Sequence, residues 1–293
     1  MDKSVGIVGA SGLIGSAIAE AYQNLGWRVL RISRKPKHIL NEEWGPVEKE
    51  SLSGLDVLIN LAGEPVDKRW TDENKRRFHK SRVGLAQQLA IWLSELSDDD
   101  RPKVWLNASA VGIYGDCADE LLTEQSPIGP NYLAQLCKEW EAAAHETPLK
   151  DCRIIHPRIG VVFGHKAHAW EKMNTPFSLG LGGKLGNGKQ WFPWIHLKDV
   201  VDSLIFLSEH PDAEGPFNIV APESVRNVEF TKALGSALHR PTIFGVPRFI
   251  LRLMLGEFSS ALLASQRVVP ENLEKAGYKW SFPKLEPTIK DLL

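Results

Sequence analysis

The chain has 293 residues, 24% of them charged and 43% apolar, with a formal net charge of −1. That composition can bury a sizeable core, as one large α/β domain or as a domain with a smaller lobe. Near-neutrality offers no electrostatic footing for nucleic acid or an anionic membrane surface. Three cysteines (Cys117, Cys137 and Cys152) without metal-like spacing suit a reducing compartment.

The chain enters its first strand by residue 4, leaving no room for a signal peptide. Its most apolar late stretch, 249–264, is interrupted by Arg252, Gly256 and Glu257 and is no membrane span. A cytoplasmic protein is expected, with neither nucleic acid nor a membrane as partner.

The run Val5-Gly-Ile-Val8 is short, apolar and rich in β-branched residues, as a buried strand is. It leads into Gly9-Ala-Ser-Gly12-Leu-Ile-Gly15, and an amphipathic helix follows from Ser16. Strand, tight glycine turn and helix N-terminus form a cradle for a pyrophosphate, because the turn lets backbone N–H groups reach it. The plain alternative is an ordinary glycine-rich β–α turn. Ser11, Leu13 and Ile14 lie in the same loop and join Gly9, Gly12 and Gly15 as candidate cofactor contacts.

Gly26 to Arg34 reads as a second strand. An NAD site commonly carries an acid at such a strand end, about twenty residues past the glycines. Here stand Ser33, Arg34 and Lys35, a hydroxyl and two cations that suit a 2′-phosphate. NADP(H) is therefore expected over NAD(H), with Ser33 and Arg34 as its ligands. Residues 36–55 hold a weak third strand or a loop. Leu55-Asp-Val-Leu-Ile-Asn-Leu-Ala-Gly63 is a buried strand whose end, Leu61, Ala62 and Gly63, allows a cofactor to lie against the backbone.

Residues 64–82 form the most basic stretch of the chain and read as a solvated helix face, with Thr71 as N-cap. Arg82 opens the next helix. A further strand from Lys103 delivers Ser109 to the strand-end crevice, followed by Tyr114-Gly115. His165 and His168 lack acidic or cysteine partners at ligand spacing and read as a surface loop, so no metal is expected. Residues 175–194 are rich in Gly, Phe and Trp without a helix period, which fits a wall of a substrate pocket.

These segments together, with Asn-Leu-Ala-Gly-Glu-Pro, Ser-Ala-Val-Gly-Ile-Tyr-Gly-Asp, Leu-Cys-Lys-Glu-Trp-Glu and Trp194-Ile-His-Leu-Lys-Asp199, resemble an atypical subfamily of extended short-chain dehydrogenases, the epimerase family proteins. The resemblance covers essentially the whole chain. It implies a Rossmann-like, doubly wound parallel sheet with a smaller C-terminal substrate lobe. The organisation would be an NADP-binding domain over 1–164 with return segments at about 195–222, substrate-side loops over 165–245, and a helical module over 246–293. It places Ser109 on the substrate's reacting oxygen, Arg82 beside the cofactor and Pro157 in the segment lining the cofactor crevice. It reads His196 and Asp199 as structural.

The same resemblance calls for a tyrosine followed four residues later by a lysine on one helix. At that spacing the cation shares a face with the phenol and lowers its pKa. Tyr132 is followed by Leu136, and Lys138 is preceded by Ala134. No register supplies the pair. The candidate proton donors are then Tyr114, Tyr132, Cys137 and Lys138, with Cys137 more naturally a small buried hydrophobe. The expected activity is an NADP(H)-binding oxidoreductase or epimerase-like enzyme acting on a small molecule. The alternative is a non-catalytic NADP(H)-sensing regulator. Proteins of this class often pair helices into homodimers.

Overall fold

A computed structural model describes residues 3–293. The first half runs β1 (Ser4–Val8), α1 (Leu13–Asn24), β2 (Arg28–Ile32), β3 (Glu43–Gly45), β4 (Val57–Asn60), α2 (Asp72–His79) and α3 (Leu85–Glu95). It continues through β5 (Val104–Asn107), β6 (Ser109–Ala110), β7 (Leu121–Leu122), α4 (Tyr132–Ala143) and β8 (Arg153–Ile159). The second half adds β9 (Val161–Phe163), α5 (His168–Ser178), β10 (Trp191–Phe192), β11 (Trp194–His196), α6 (Leu197–Glu209), β12 (Gly215–Ile219), β13 (Val225–Arg226) and α7 (Asn227–Ala237). It closes with α8 (Arg248–Leu255), α9 (Phe258–Leu263), β14 (Arg267–Val268), α10 (Glu271–Lys275) and α11 (Leu285–Asp291).

The main sheet is parallel throughout, in the order β12-β8-β5-β4-β1-β2-β3, with β6 extending the edge of β8. Alternation along the strands decides which layer each side chain joins. Val5, Ile7, Val57, Ile59, Val104 and Leu106 face α1 and α6, whereas Val8, Leu58, Trp105 and Ile154 face α3. Both faces are therefore buried, which is why β1, β4 and β5 read as continuous apolar runs. Strand order reverses between β1 and β4, and a crevice opens there beyond the strand ends.

The weak third strand is β3, only three residues long. Thr71 caps α2 by accepting from the Asn74 amide at 3.2 Å. Between α2 and α3 the chain makes one π-helical turn over Lys80–Gly84, so α3 starts three residues later than Arg82. Such single turns recur at functional sites.

The 175–194 segment lines neither of the two cavities beside the glycine loop. Phe163, Trp170, Phe177, Trp194 and Phe230 pack with Leu285 and Ile289 into the core of a second lobe, and Phe192 packs against them. Burial of that much aromatic surface outweighs lining a wet cleft. The segment from 246 onward is likewise divided. Phe258 and Ala261 of α9 pack against a cluster of Trp70, Leu136 and Trp140, while Leu273 and Tyr278 join the core of the sheet and Leu285 and Ile289 the second lobe.

Asp199, fully buried in α6, ties that last stretch down. It accepts from the Ser281 amide at 2.7 Å, the Phe282 amide at 2.8 Å and the Tyr278 hydroxyl at 3.3 Å. Asp199→Ala leaves these donors without an acceptor, and unfolding in urea should register a loss of about 3 kcal/mol. A loss under about 1 kcal/mol would mean the 278–282 segment is held by something else.

Candidate functional site

The glycine loop sits at the mouth of the crevice. Gly9 takes a φ of +87°, and a Cβ there would lie 2.9 Å from the Ala62 backbone nitrogen. A Cβ on Gly15 would lie 2.3 Å from the Gly9 carbonyl oxygen, so α1 can approach β1 only with glycine at this position. Gly12 differs: its open side meets only the Gly9 carbonyl, at 3.4 Å. Gly12 is also the N-cap of α1, and no side chain caps that end. The helix therefore presents free amides to the crevice.

Two chambers meet at Gly9, Gly12 and Leu61. The larger, about 890 Å³, takes in Ser11, Ser33, Arg34, Ala62 and Gly63, and is lined also by Arg77, Lys80 and Ser81. Its only acidic side chain is Glu64, which is engaged by Lys68 at 2.6 Å. The cationic set is thus wider than Ser33 and Arg34. Arg77 and Lys80 belong to the basic 64–82 stretch read from sequence as a solvated face. Nothing local marks two exposed basic residues as neighbours of a strand end more than forty positions earlier.

The smaller chamber, about 390 Å³, is lined by Gly9, Leu13, Ile14, Gly15, Arg82, Ser109 and an apolar wall that includes Val66, Leu133 and Leu136. Ser109 donates its hydroxyl proton to Glu141 Oε1 at 2.6 Å. Arg158 holds the same carboxylate with Nε at 2.9 Å and Nη2 at 2.9 Å. Burial would raise the Glu141 carboxyl, but the Arg158 guanidinium and the Ser109 hydroxyl bring it below its usual value. Ser109 is therefore fixed in orientation, with its lone pairs and not its proton left for the chamber.

The other proposed donors lie elsewhere. Tyr114 is buried; its hydroxyl donates to Asn218 Oδ1 at 2.7 Å and accepts from Arg158 Nη1 at 3.0 Å, so it braces the wall behind Ser109. Tyr132 turns away to Trp70, its ring 5.2 Å from that indole, and donates to the Lys75 carbonyl at 3.4 Å. Lys138 is exposed on the outer face of α4. None of these three lines the chamber, because α4 directs Leu133, Leu136, Cys137 and Trp140 inward instead. Two pairs four apart face the chamber, Leu133 with Cys137, one residue out of register with Tyr132, and Leu136 with Trp140. Burial pushes the Cys137 thiol up to about 12, which leaves it an inert hydrophobe at neutral pH. Pro157 is buried within β8, paired with Phe217, and lines neither chamber.

Arg82 reaches the chamber from the π-turn and lies over the Trp140 ring, 5.2 Å from its centroid. The C-terminal helices pack behind the wall of the smaller chamber, on the cluster that includes Leu136 and Trp140. Phe258 of α9 packs 6.1 Å from Trp70, Arg69 donates to the Leu253 carbonyl at 3.0 Å, and Lys75 pairs with Glu257 at 2.7 Å. His168 lies 3.0 Å from Asp67, which also pairs with Lys172. Among the described residues no helix is long and apolar enough to cross a membrane.

Comparison with known proteins supplies the lineage. Residues 5–220 match the model of the NAD dependent epimerase/dehydratase family, and residues 246–292 match a domain of unknown function, DUF1731. The chain is 37% identical over 283 residues to the epimerase family protein ML0860 of Mycobacterium leprae, covering 94% of this chain and 91% of that one. It is 36% identical to the mouse epimerase family protein SDR39U1, covering 97% and 98%. The crystal structure of human SDR39U1 (isoform 2), solved with NADPH, superposes with a TM-score of 0.91 at 33% identity, covering 99% and 98%. The chain belongs to the NAD-dependent epimerase/dehydratase family, and within it resembles the proteins named epimerase family proteins.

Proposed function

We propose that this protein is an NADP(H)-dependent oxidoreductase, epimerase-like in fold, that acts on a small molecule. The observation that carries the reading is one continuous cleft with a cationic chamber on one side of the glycine loop and a serine-bearing chamber on the other. The residues fit the cofactor: Gly12 leaves open space where a pyrophosphate would rest, and the α1 amides face it. Ser33, Arg34, Arg77 and Lys80 surround the place for a 2′-phosphate. The NADPH complex of the human relative supports the same choice.

When bound, the nicotinamide supplies or takes up hydride. The chain's own part is to orient and to exclude water. Ser109 Oγ, its proton directed to Glu141, accepts a hydrogen bond from a substrate hydroxyl, and Arg158 keeps Glu141 ionised. Val66, Leu133, Leu136 and Trp140 exclude water from the reacting end. A second reading, a sensor that binds NADP(H) without turnover, is favoured by one observation: the inward residues of α4 are Leu133, Leu136, Cys137 and Trp140, none of which can exchange a proton at neutral pH.

Titration with NADPH and NADH, followed by incubation with a panel of hydroxy and carbonyl compounds, tests both readings. Turnover of the cofactor establishes the enzyme, while tight NADPH binding without turnover across the panel favours the sensor. Failure to bind either nucleotide overturns both. Arg34→Glu should weaken NADPH at least about 10-fold and leave NADH nearly unchanged, because only the 2′-phosphate meets that side chain. Equal losses would remove Arg34 from the site. Ser109→Ala should lower turnover about 100-fold with NADPH affinity within about 3-fold of wild type. A matching loss of NADPH affinity would place Ser109 on the cofactor instead.

A further inference from the structure

The formal net charge of −1 conceals a local asymmetry. Residues 172–190 and 240–256 hold Lys172, Lys184, Lys189, Arg240, Arg248 and Arg252 and not one acid. The fold lays these two stretches side by side. Leu185 bridges to Val246, the Val246 amide donates to the Lys184 carbonyl at 2.9 Å, and Arg240 Nε donates to the Ser178 carbonyl at 3.2 Å. Lys172 pairs with Asp67, whereas the other five cations form no ion pair among the described residues. Glu257, the next acid along the chain, is engaged by Lys75. Of the fourteen large apolar side chains exposed among the described residues, seven lie in these same two stretches. Helix α8 carries three of them. Its Leu251 is buried, while Phe249 and Leu253, four apart, are 72% and 76% exposed, and Met254 stands beside them. A helix apolar on opposite sides is ordinarily covered on both, and α8 has protein on one side alone.

We propose that this face docks on an anionic lipid bilayer, with α8 lying in the plane of the interface. Charge complementarity selects the occupant. Exposed apolar side chains among uncompensated cations match acyl chains beneath anionic headgroups, and Arg248 and Arg252 flank the apolar side chains on α8 itself. A second copy of the chain would bring the same cations against these, with no acid in either stretch to meet them. Side chains as exposed as Ile243, Phe249 and Leu253 protrude and can enter the headgroup boundary, whereas a partner helix is seated in a recessed groove. The eight residues of α8 are far too few to span a bilayer, so the chain rests on the surface without crossing it.

The test is co-sedimentation of the full chain with sucrose-loaded vesicles, of phosphatidylcholine alone or with about a third phosphatidylglycerol. The anionic vesicles should bind at least about 10-fold more tightly than the neutral ones, and about 0.5 M salt should remove most of the difference. Arg248→Glu with Arg252→Glu should abolish the preference for anionic lipid. Phe249→Ser with Leu253→Ser should weaken binding to the anionic vesicles at least about 10-fold at unchanged charge. Ile243→Ser with Met254→Ser repeats that comparison from other positions on the face. All of these side chains are exposed, so far-ultraviolet circular dichroism and NADPH affinity should match wild type, which separates loss of docking from loss of fold. Absence of binding to the anionic vesicles, or equal binding to both kinds, would overturn the proposal. Wild-type binding by the arginine pair or by both apolar pairs would do the same. A concentration-dependent dimer in sedimentation velocity, lost in Phe249→Ser with Leu253→Ser and unaccompanied by vesicle binding, would give the face to a second copy instead.

Discussion

The buried ion pair between Glu141 and Arg158 is the constraint on which the site depends. It joins α4 to β8, and both side chains are largely shielded from solvent. Removing either partner would leave a charge in a low-dielectric wall, a loss on the order of 3–5 kcal/mol. The remaining donors of Arg158 go to the Tyr114 hydroxyl and the Glu124 carbonyl, and Tyr114 passes on to Asn218. Asn218 in turn donates to the Val269 carbonyl, and the Glu124 carboxylate accepts from the Asn218 and Asn272 amides. One network therefore runs from Ser109 at the chamber to the C-terminal segment. The orientation of a single hydroxyl is backed by much of the second half of the chain.

That wiring explains why the C-terminal residues do not form an appendage. Their α8 and α9 portion is held by the Phe258–Trp70 contact and the Lys75–Glu257 pair, while their later portion is anchored to the sheet through Asp199. The sheet supplies rigid strand ends, and the flanking segments shape what those ends face. Site geometry of this kind is set by elements far apart in sequence, as is usual for crevices at the carboxyl ends of parallel strands.

The electrostatics of the two chambers differ in a way that suits different ligands. The larger gathers Arg34, Arg77 and Lys80 at a solvent-accessible wall, where long cations adapt at little desolvation cost. The smaller holds one guanidinium, largely buried and 5.2 Å from the centroid of the Trp140 ring, in an apolar setting. The inward face of α4 contributes volume and exclusion of water and no titrating group, since Leu133 cannot ionise and Cys137 is held protonated. Any proton chemistry in the smaller chamber must then go through Ser109 and what lies behind it.

From the amino-acid order alone, the strand–glycine–helix unit, the buried strands at β4 and β5, the cations after β2 and the arrival of Ser109 at a strand end were all legible. Each is a local matter of residue type and period, and Gly15 needs no distant partner to exclude a side chain. The missing tyrosine–lysine pair was equally legible, because helical spacing is a property of neighbours. The side of α4 that faces the chamber was not, since a one-residue rotation separates Tyr132 from Leu133 and only packing against Trp70 decides it. Tyr114 and Lys138 were misplaced for the same reason: polarity in a sequence does not tell a bracing hydroxyl from a reactive one. Arg77 and Lys80 joined Arg34, and Arg82 reached the smaller chamber, only when the fold brought together segments dozens of residues apart. Residue type determined which chemistries this chain has available; tertiary packing, by burying some charges in pairs and gathering others at one cleft, decided where they stand.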